Sequence, residues 1–389
     1  MLKFIGYLFL FYALSCAGSE NSAEIKTGAQ QAELYLPLLQ NKKVGLVVNH
    51  TSRVSDNHLV DFLLEKNIQV EKIFAPEHGF RGDASAGEKI EDGVDIKTGI
   101  PVFSLYGETR KPTPEHLQNL DVVIFDIQDV GCRFYTYIST LHFVIEACAE
   151  NNLPLLVFDR PNPNGDYVAG PVLDPEFQSF VGMDPIPIVH GCTVGELALM
   201  INGENWHQAM RKCEIEIIPV KNYTHKMRYS LPVPPSPNLP NDLAVRLYPS
   251  LCFFEATGVS VGRGTKFPFQ VLGGLDSRLG DFKFIPESIP GVAVNPLNLG
   301  KECFGIDLRE LKEVPQFTLK YFFDFYQQYE NEKEFLTRER WLNLLAGTDD
   351  LIKQIREGKN EVEIFQGLKA ELLKYKEIRK KYLLYPDFE

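Results

Sequence analysis

Three short segments gather the residue types that proton transfer and anion recognition need: Ala75-Pro76-Glu77-His78-Gly79-Phe80-Arg81-Gly82-Asp83, then Asp126-Ile127-Gln128-Asp129-Val130-Gly131-Cys132-Arg133-Phe134-Tyr135-Thr136-Tyr137, then Asp159-Arg160-Pro161-Asn162-Pro163-Asn164-Gly165. Glu77 follows a proline and precedes His78-Gly79, so its backbone is constrained and its side chain is expected to project. A glutamic acid partly shielded from water keeps a raised pKa and can hand a proton to a leaving oxygen. A capping or ion-paired glutamate is the structural alternative. Asp126 and Asp129, three apart, can share one site as base or charge stabiliser, or can fix the loop as a hydrogen-bonded pair. Arg133 and Arg160 suit bidentate carboxylate recognition, and equally suit pairing with Asp126, Asp129 or Asp159. Tyr135 and Tyr137 alternate with Phe134 and Thr136, which fits packing or stacking on a sugar. His78 and His190 stand singly, with no HxxH or HExxH spacing, so neither a metal nor another cofactor is expected.

These segments need a scaffold that brings them to one place. Each follows an apolar run: Val70 to Ala75, Asp121 to Asp126 and Leu153 to Asp159. Further runs at Val44–Asn49, Val102–Tyr106 and Cys213–Val220 alternate with helical stretches near Asp56–Lys66, Ile138–Asn151 and Thr193–Asn202. Continuous apolar strands alternating with helices predict an α/β fold: a Rossmann-like, mainly parallel sheet with helices on both faces. In such sheets ligands bind beyond the carboxyl ends of the strands, where all three segments fall. No GxGxxG follows the first strand, which ends Asn49-His50-Thr51-Ser52, so a dinucleotide enzyme is not indicated. Thr193 and Glu196 form a capping box, a structural role for Glu196. Glu255 to Lys266 is glycine-rich and basic without matching a P-loop; its glycines permit close backbone approach to a ligand, with Arg263 as an anion clamp. Leu231 to Pro240 carries five prolines and reads as a linker or a rigid wall of the site. The predicted organisation is a leader at 1–16, a tether and lead-in at 17–41, a Rossmann-like catalytic domain at 42–266 and a smaller C-terminal α/β auxiliary domain at 267–389. The charged stretch Leu368 to Tyr382 has helical spacing and is expected to be a solvated face.

Met1-Leu2-Lys3 followed by the apolar run Phe4 to Leu14 has the charged and apolar regions of a signal peptide and is too short to span a bilayer. Ala13-Leu14-Ser15-Cys16 resembles a bacterial lipoprotein cleavage site, with Cys16 as the lipidated residue; Leu14 is larger than usual there, and an ordinary signal peptide with a chance cysteine is the alternative. Export to the periplasm, free or membrane-anchored through that lipid alone, is therefore expected. A net charge of −12 argues against nucleic acid as a partner. It also means that an anionic substrate must be held by local arginines. The other six cysteines are scattered without metal-ligand spacing, which points to buried thiols.

PEHGFRGDASAGE, DIQDVGCRFYTY, DRPNPNG with AGPVL, VHGCTVGELA and GVSVGRGTKFPF together resemble, in order, the exo-β-N-acetylmuramidases, the NamZ-type glycoside hydrolases. The likeness runs from Val44 to the C-terminal Arg379–Tyr385, nearly the whole mature chain. It implies a Rossmann-like catalytic domain with an auxiliary domain. It also implies hydrolysis of terminal, non-reducing β-1,4-linked N-acetylmuramic acid from peptidoglycan fragments, with Glu77 of the PEHG motif catalytic. Glycoside hydrolysis usually needs a second carboxyl group, for which Asp126, Asp129 and Glu88 are the candidates. The lactyl carboxylate of muramic acid calls for Arg133, Arg160 or Arg263, and His78, Arg81, Tyr135, Tyr137, Asp159, Asn162, His190 and Glu255 are further candidates for substrate contact. The chain departs from the pattern at Val261, where an acidic residue is expected before GRGT; Glu255 lies earlier in the segment. A cell-wall esterase or amidase would need an activated nucleophile, and no GxSxG elbow is present. A non-catalytic glycan-binding lipoprotein is the other alternative, against which the concentration of carboxylates speaks.

Overall fold

The computed structural model describes residues 24–77, 79–80 and 92–389. Expectations placed on Cys16, His78, Arg81 and Glu88 fall outside the described residues. Apart from the short hairpin Arg53–Val54/Asn57–His58, the strands in chain order are β1 (Lys43–Val48), β2 (Gln69–Ala75), β3 (Gly93–Val94), β4 (Pro101–Ser104), β5 (Val122–Asp126), β6 (Leu155–Phe158), β7 (Ala169–Val172), β8 (Pro187–Val189), β9 (Ile215–Ile218), β10 (Val271–Gly274), β11 (Phe282–Phe284) and β12 (Cys303–Asp307). Helices that position the site are α1 (Ala32–Leu39), α2 (Leu59–Glu65), α3 (Tyr137–Asn151), α4 (Val194–Gly203), α5 (Asp242–Leu251), α6 (Glu339–Ala346), α7 (Asp350–Arg356) and α8 (Glu361–Arg379).

The main sheet runs β9-β6-β5-β1-β2-β4-β3, parallel throughout except for β3. From β1 the chain builds outward through β2 and β4, then crosses back to β5, β6 and β9, so the order reverses between β1 and β5. The strands form because alternate side chains are buried on both faces. Val44, Leu46, Val48, Ile73 and Ile124 pack toward α1 and α2, while Val47, Phe74, Val123, Phe125 and Val157 pack toward α3 and α4. Fully burying each such side chain contributes about 1.5–3 kcal/mol, so these two faces dominate the stability of the sheet. The second core continues without a break into α5 and the C-terminal helices. Helix α4 begins at the expected capping box: Glu196 N donates to Thr193 Oγ1 (3.2 Å) and Thr193 N to Glu196 Oε2 (2.9 Å).

Two features differ from expectation. β7 and β8, rich in Gly and Pro, pair as an antiparallel ribbon beside the sheet. The polar C-terminal helix α8 is not simply a solvated face. Its Tyr375 is buried and donates to His190 O (2.7 Å), and Arg379 is buried against Gly191 O and the Asp387 carboxylate. A smaller antiparallel sheet, β10-β12-β11, follows in the C-terminal part. All six described cysteines are buried and free. Among the described residues no helix is long and apolar enough to cross a membrane.

Candidate active site

A cleft of about 1210 Å³ opens at the carboxyl ends of β2, β4 and β5, walled on its other side by C-terminal segments. It is somewhat larger than the roughly 300–1,000 Å³ typical of small-molecule sites. Glu77 lies in the turn directly after β2, closed by Gly79 N donating to Pro76 O (3.1 Å), with Gly79 at φ +77°. Thr136, just before α3, donates its hydroxyl to Glu77 Oε2 (2.7 Å). Tyr106, after β4, bonds to Glu77 as well: burial first, then the Glu77 charge and that hydrogen bond, push its phenol up and keep it a donor. A half-buried carboxyl group is thus oriented by two hydroxyls at the cleft floor. Glu255 is the other carboxylate lining the cleft among the described residues, and its Oε1 accepts from Arg263 Nη2 (2.5 Å). Arg263 in turn lies 5.1 Å from the Phe269 ring centroid. Arg110, Arg338 and the aromatic rings of Phe180 and Trp341 complete the walls. No group of three His, Cys, Asp or Glu capable of holding a metal ion occurs among the described residues.

Most of the other sequence candidates are committed to holding the fold. Asp126 and Arg160 are buried and bonded to each other twice, Nε to Oδ1 (2.6 Å) and Nη2 to Oδ2 (2.9 Å). Neither lines the cleft, which corrects their expected roles as second carboxyl group and lactyl clamp. Arg133 is likewise removed from the clamp set. It is fully buried, and its Nη1 and Nη2 donate to the carbonyls of Pro171, Ile186, Leu345 and Ala346 at 2.6–3.0 Å. Burial pushes this guanidinium down to about 9, which leaves it charged at neutral pH. Gly347 makes room for it, since a Cβ there would sit 2.5 Å from Arg133 Nη2. Asp129 is buried behind the cleft; Gly131 N donates to it (2.6 Å) and His190 Nε2 stands 3.7 Å away. Tyr135 and Tyr137 are buried edge to face at 4.9 Å, with both hydroxyls on Pro235 O, so they pack rather than stack on a sugar. Those contacts place the proline-rich segment behind the cleft, not along it: none of residues 231–240 lines the cavity, and Asn238 Nδ2 donates to Val292 O (2.9 Å), whose residue does. Asp159 accepts from Arg160 N, Gly195 N, Thr193 Oγ1 and Tyr385 OH. Burial nevertheless raises its carboxyl to about 6. Asn162 donates to Cys192 O (2.8 Å) and accepts from Asn164 N. Of the described candidates, Glu77, Glu255 and Arg263 therefore reach the cleft.

Residues 44–243 match the N-terminal and residues 246–385 the C-terminal family model of exo-β-N-acetylmuramidase NamZ. The chain belongs to the NamZ family. It is 38% identical over 372 residues to the peptidoglycan β-N-acetylmuramidase NamZ of Bacillus subtilis (strain 168), covering 90% of this chain and 89% of that one. Two crystal structures of DUF1343 family proteins from Bacteroides fragilis NCTC 9343 share its architecture. One has TM-score 0.87 and 46% identity, covering 94% of this chain and 100% of that one. The other has TM-score 0.80 and 30% identity, covering 93% and 99%. The resemblance carried by the five motifs is correct, and so is the α/β fold class.

Sequence reasoning missed several groups that this NamZ-family cleft brings to Glu77. Thr136 lies inside the DIQDVGCRFYTY motif between two tyrosines of stronger chemical character. Trp341 is one of two tryptophans in the chain, a usable signal for a sugar-facing wall. Tyr106 and Arg110 share the loop after β4, and Phe180 and Arg338 come from two other segments, with no local pattern to mark any of them.

Proposed function

We propose that this chain releases the terminal, non-reducing β-1,4-linked N-acetylmuramic acid from peptidoglycan fragments such as MurNAc-GlcNAc. Family membership makes it a glycosidase, and the observation that supports the assignment of roles is Glu77, held by Thr136 and Tyr106 at the floor of the cleft. In the reaction the Glu77 carboxyl gives its proton to the glycosidic oxygen as the C1–O bond breaks. Water supplies hydroxide to C1 and leaves a proton to restore Glu77. With Asp126 held by Arg160, Glu255 is the described carboxylate left to assist the second half of the reaction, and Arg263 holds it in place.

The test is incubation of the protein lacking residues 1–16 with a chromogenic β-N-acetylmuramide and with the matching β-N-acetylglucosaminide. Colour from the muramide alone is expected. Colour from neither, with the protein folded, would refute the reading.

We also infer that the chain is exported and anchored through Cys16. The support is the sequence of residues 1–16, and the expected result is incorporation of labelled palmitate by the full-length chain but not by Cys16→Ser. Equal labelling of both would reject the anchor.

A further inference from the structure

We infer that Arg110 is the residue that reads the carboxylate of the substrate's 3-O-lactyl group, an assignment that rests on the muramidase reading above. Muramic acid differs from glucosamine by that group alone, so selectivity between the two requires a cation beside the reacting sugar. Three arginines line the cleft: Arg110, Arg263 and Arg338. Arg263 is occupied by the Glu255 carboxylate at 2.5 Å. Arg338 gives its Nη2 to the Glu255 backbone oxygen and lies 5.8 Å from the Trp341 ring centroid. Arg110 pairs with no acidic side chain among the described residues. Its guanidinium lies instead over the Phe180 ring, 4.5 Å from the centroid.

That stacking matters because of where Phe180 sits. Its ring is 6.0 Å from Tyr106, the residue bonded to Glu77, and stacks on Phe143 of α3 at 6.4 Å with the planes 14° apart. Glu77, Tyr106, Phe180 and Arg110 therefore form one continuous wall, rooted in a helix of the core. A guanidinium resting on an aromatic face keeps its N–H donors at its edge, in the fork geometry that matches a carboxylate. On the pyranose ring a single carbon separates C3, which carries the lactyl ether, from C1, where the bond is cut. The clamp must consequently lie close to the acid, and Arg110 is the cleft arginine tied to Glu77 through a shared ring. The charge of −12 on the chain repels an anionic sugar, which makes a locally unneutralised guanidinium the more necessary.

The experiment compares kcat/KM on a chromogenic β-N-acetylmuramide and on its lactyl methyl ester, which has the same ring and no charge. Wild type is expected to prefer the acid. Arg110→Ala is expected to lose on the order of 10- to 100-fold on the acid, the worth of a charged hydrogen-bond pair, with the ester almost unaffected. The acid-to-ester ratio then falls toward one. Arg110→Gln keeps a planar group over Phe180 and is expected to lose the ratio equally, while Arg110→Lys restores part of it. Melting temperatures check that each variant is folded. An unchanged ratio in Arg110→Ala and Arg110→Gln overturns the Arg110 assignment and leaves the muramidase reading standing. Failure of the wild type on both compounds overturns the two together.

Discussion

Between β1 and β5, where the strand order reverses, the carboxyl edge of the sheet is closed; beside β2 and β4 the same edge is open. In the closed region Thr51 Oγ1 donates to Asn49 Oδ1 (2.6 Å) and accepts from Gln128 N (3.0 Å), Ser52 Oγ donates to Asp126 O, and Asp126 grips Arg160. In the open region a half-buried Glu77 is held by hydroxyls, and an exposed Arg110 rests on a ring. Both regions spend carboxylates and guanidinium groups. Where both partners are buried and face each other, removing either strands a charge, so they specify the fold. Where a cation rests on an aromatic face, as Arg110 does on Phe180, its N–H donors remain available to a ligand. A strand-order reversal usually marks the ligand crevice. Here polar side chains fill it, and the cleft opens mainly beside β2 and β4.

The sharpest way to break this contrast is to change one carboxyl group in each region. Glu77→Gln keeps size and hydrogen-bonding reach and removes the transferable proton; turnover is expected to fall about 10²- to 10⁴-fold with an unchanged melting temperature. Near-normal rates would remove Glu77 from the chemistry. Asp126→Ala is expected to do the reverse, lowering unfolding free energy by about 3–5 kcal/mol in denaturant titrations because Arg160 is left buried without its partner. A folded, equally stable and inactive Asp126→Ala would return Asp126 to the active site and erase the distinction. The smallest effect concerns the loop between β7 and β8, which carries Phe180 to the cleft. Its Asp184 accepts from His142 Nδ1 (2.8 Å) in the core. Burial alone would lower the His142 pKa, but the hydrogen bond to Asp184 and the charges of Asp184 and Glu146 outweigh it and raise it above 6.5. A folded-state pKa above the unfolded one means stabilisation present in full below pH 6.5 and lost as pH rises through the folded value. Melting temperature is therefore expected to fall by about a few °C across that window in wild type, and to stay flatter in His142→Gln. Parallel curves would show that the pair does not secure this wall.

The sheet was legible because buried parallel strands leave continuous apolar runs, as in Val122–Asp126, and because a capping box such as Thr193 with Glu196 is a local code. The β7–β8 ribbon was not, since Gly170, Pro171 and Pro187 mask a strand pattern that tertiary pairing imposes. At the site, Glu77 was legible from its own neighbours, Pro76 and Gly79. Arg133 misled for the same reason that it attracted notice: an arginine among aromatics beside aspartates looks like a ligand clamp, and nothing local announces four distant carbonyls. Arg110 is its mirror image, an ordinary member of the charged stretch Glu108-Thr109-Arg110-Lys111, given meaning by Phe180 from another loop.

The carbonyls around Arg133 have a consequence for cooperativity. Two of them, Pro171 and Ile186, belong to the region of the first family match, and two, Leu345 and Ala346, to the second. Separating the regions would forfeit two of the four hydrogen bonds of this charged guanidinium together with the apolar core that the regions share, so loosening one weakens the other. In a calorimeter the chain is expected to melt in a single endotherm, and the segment 44–243 expressed alone is expected not to fold. The region that supplies Glu77 and the region that walls it in are thus expected to unfold as one body.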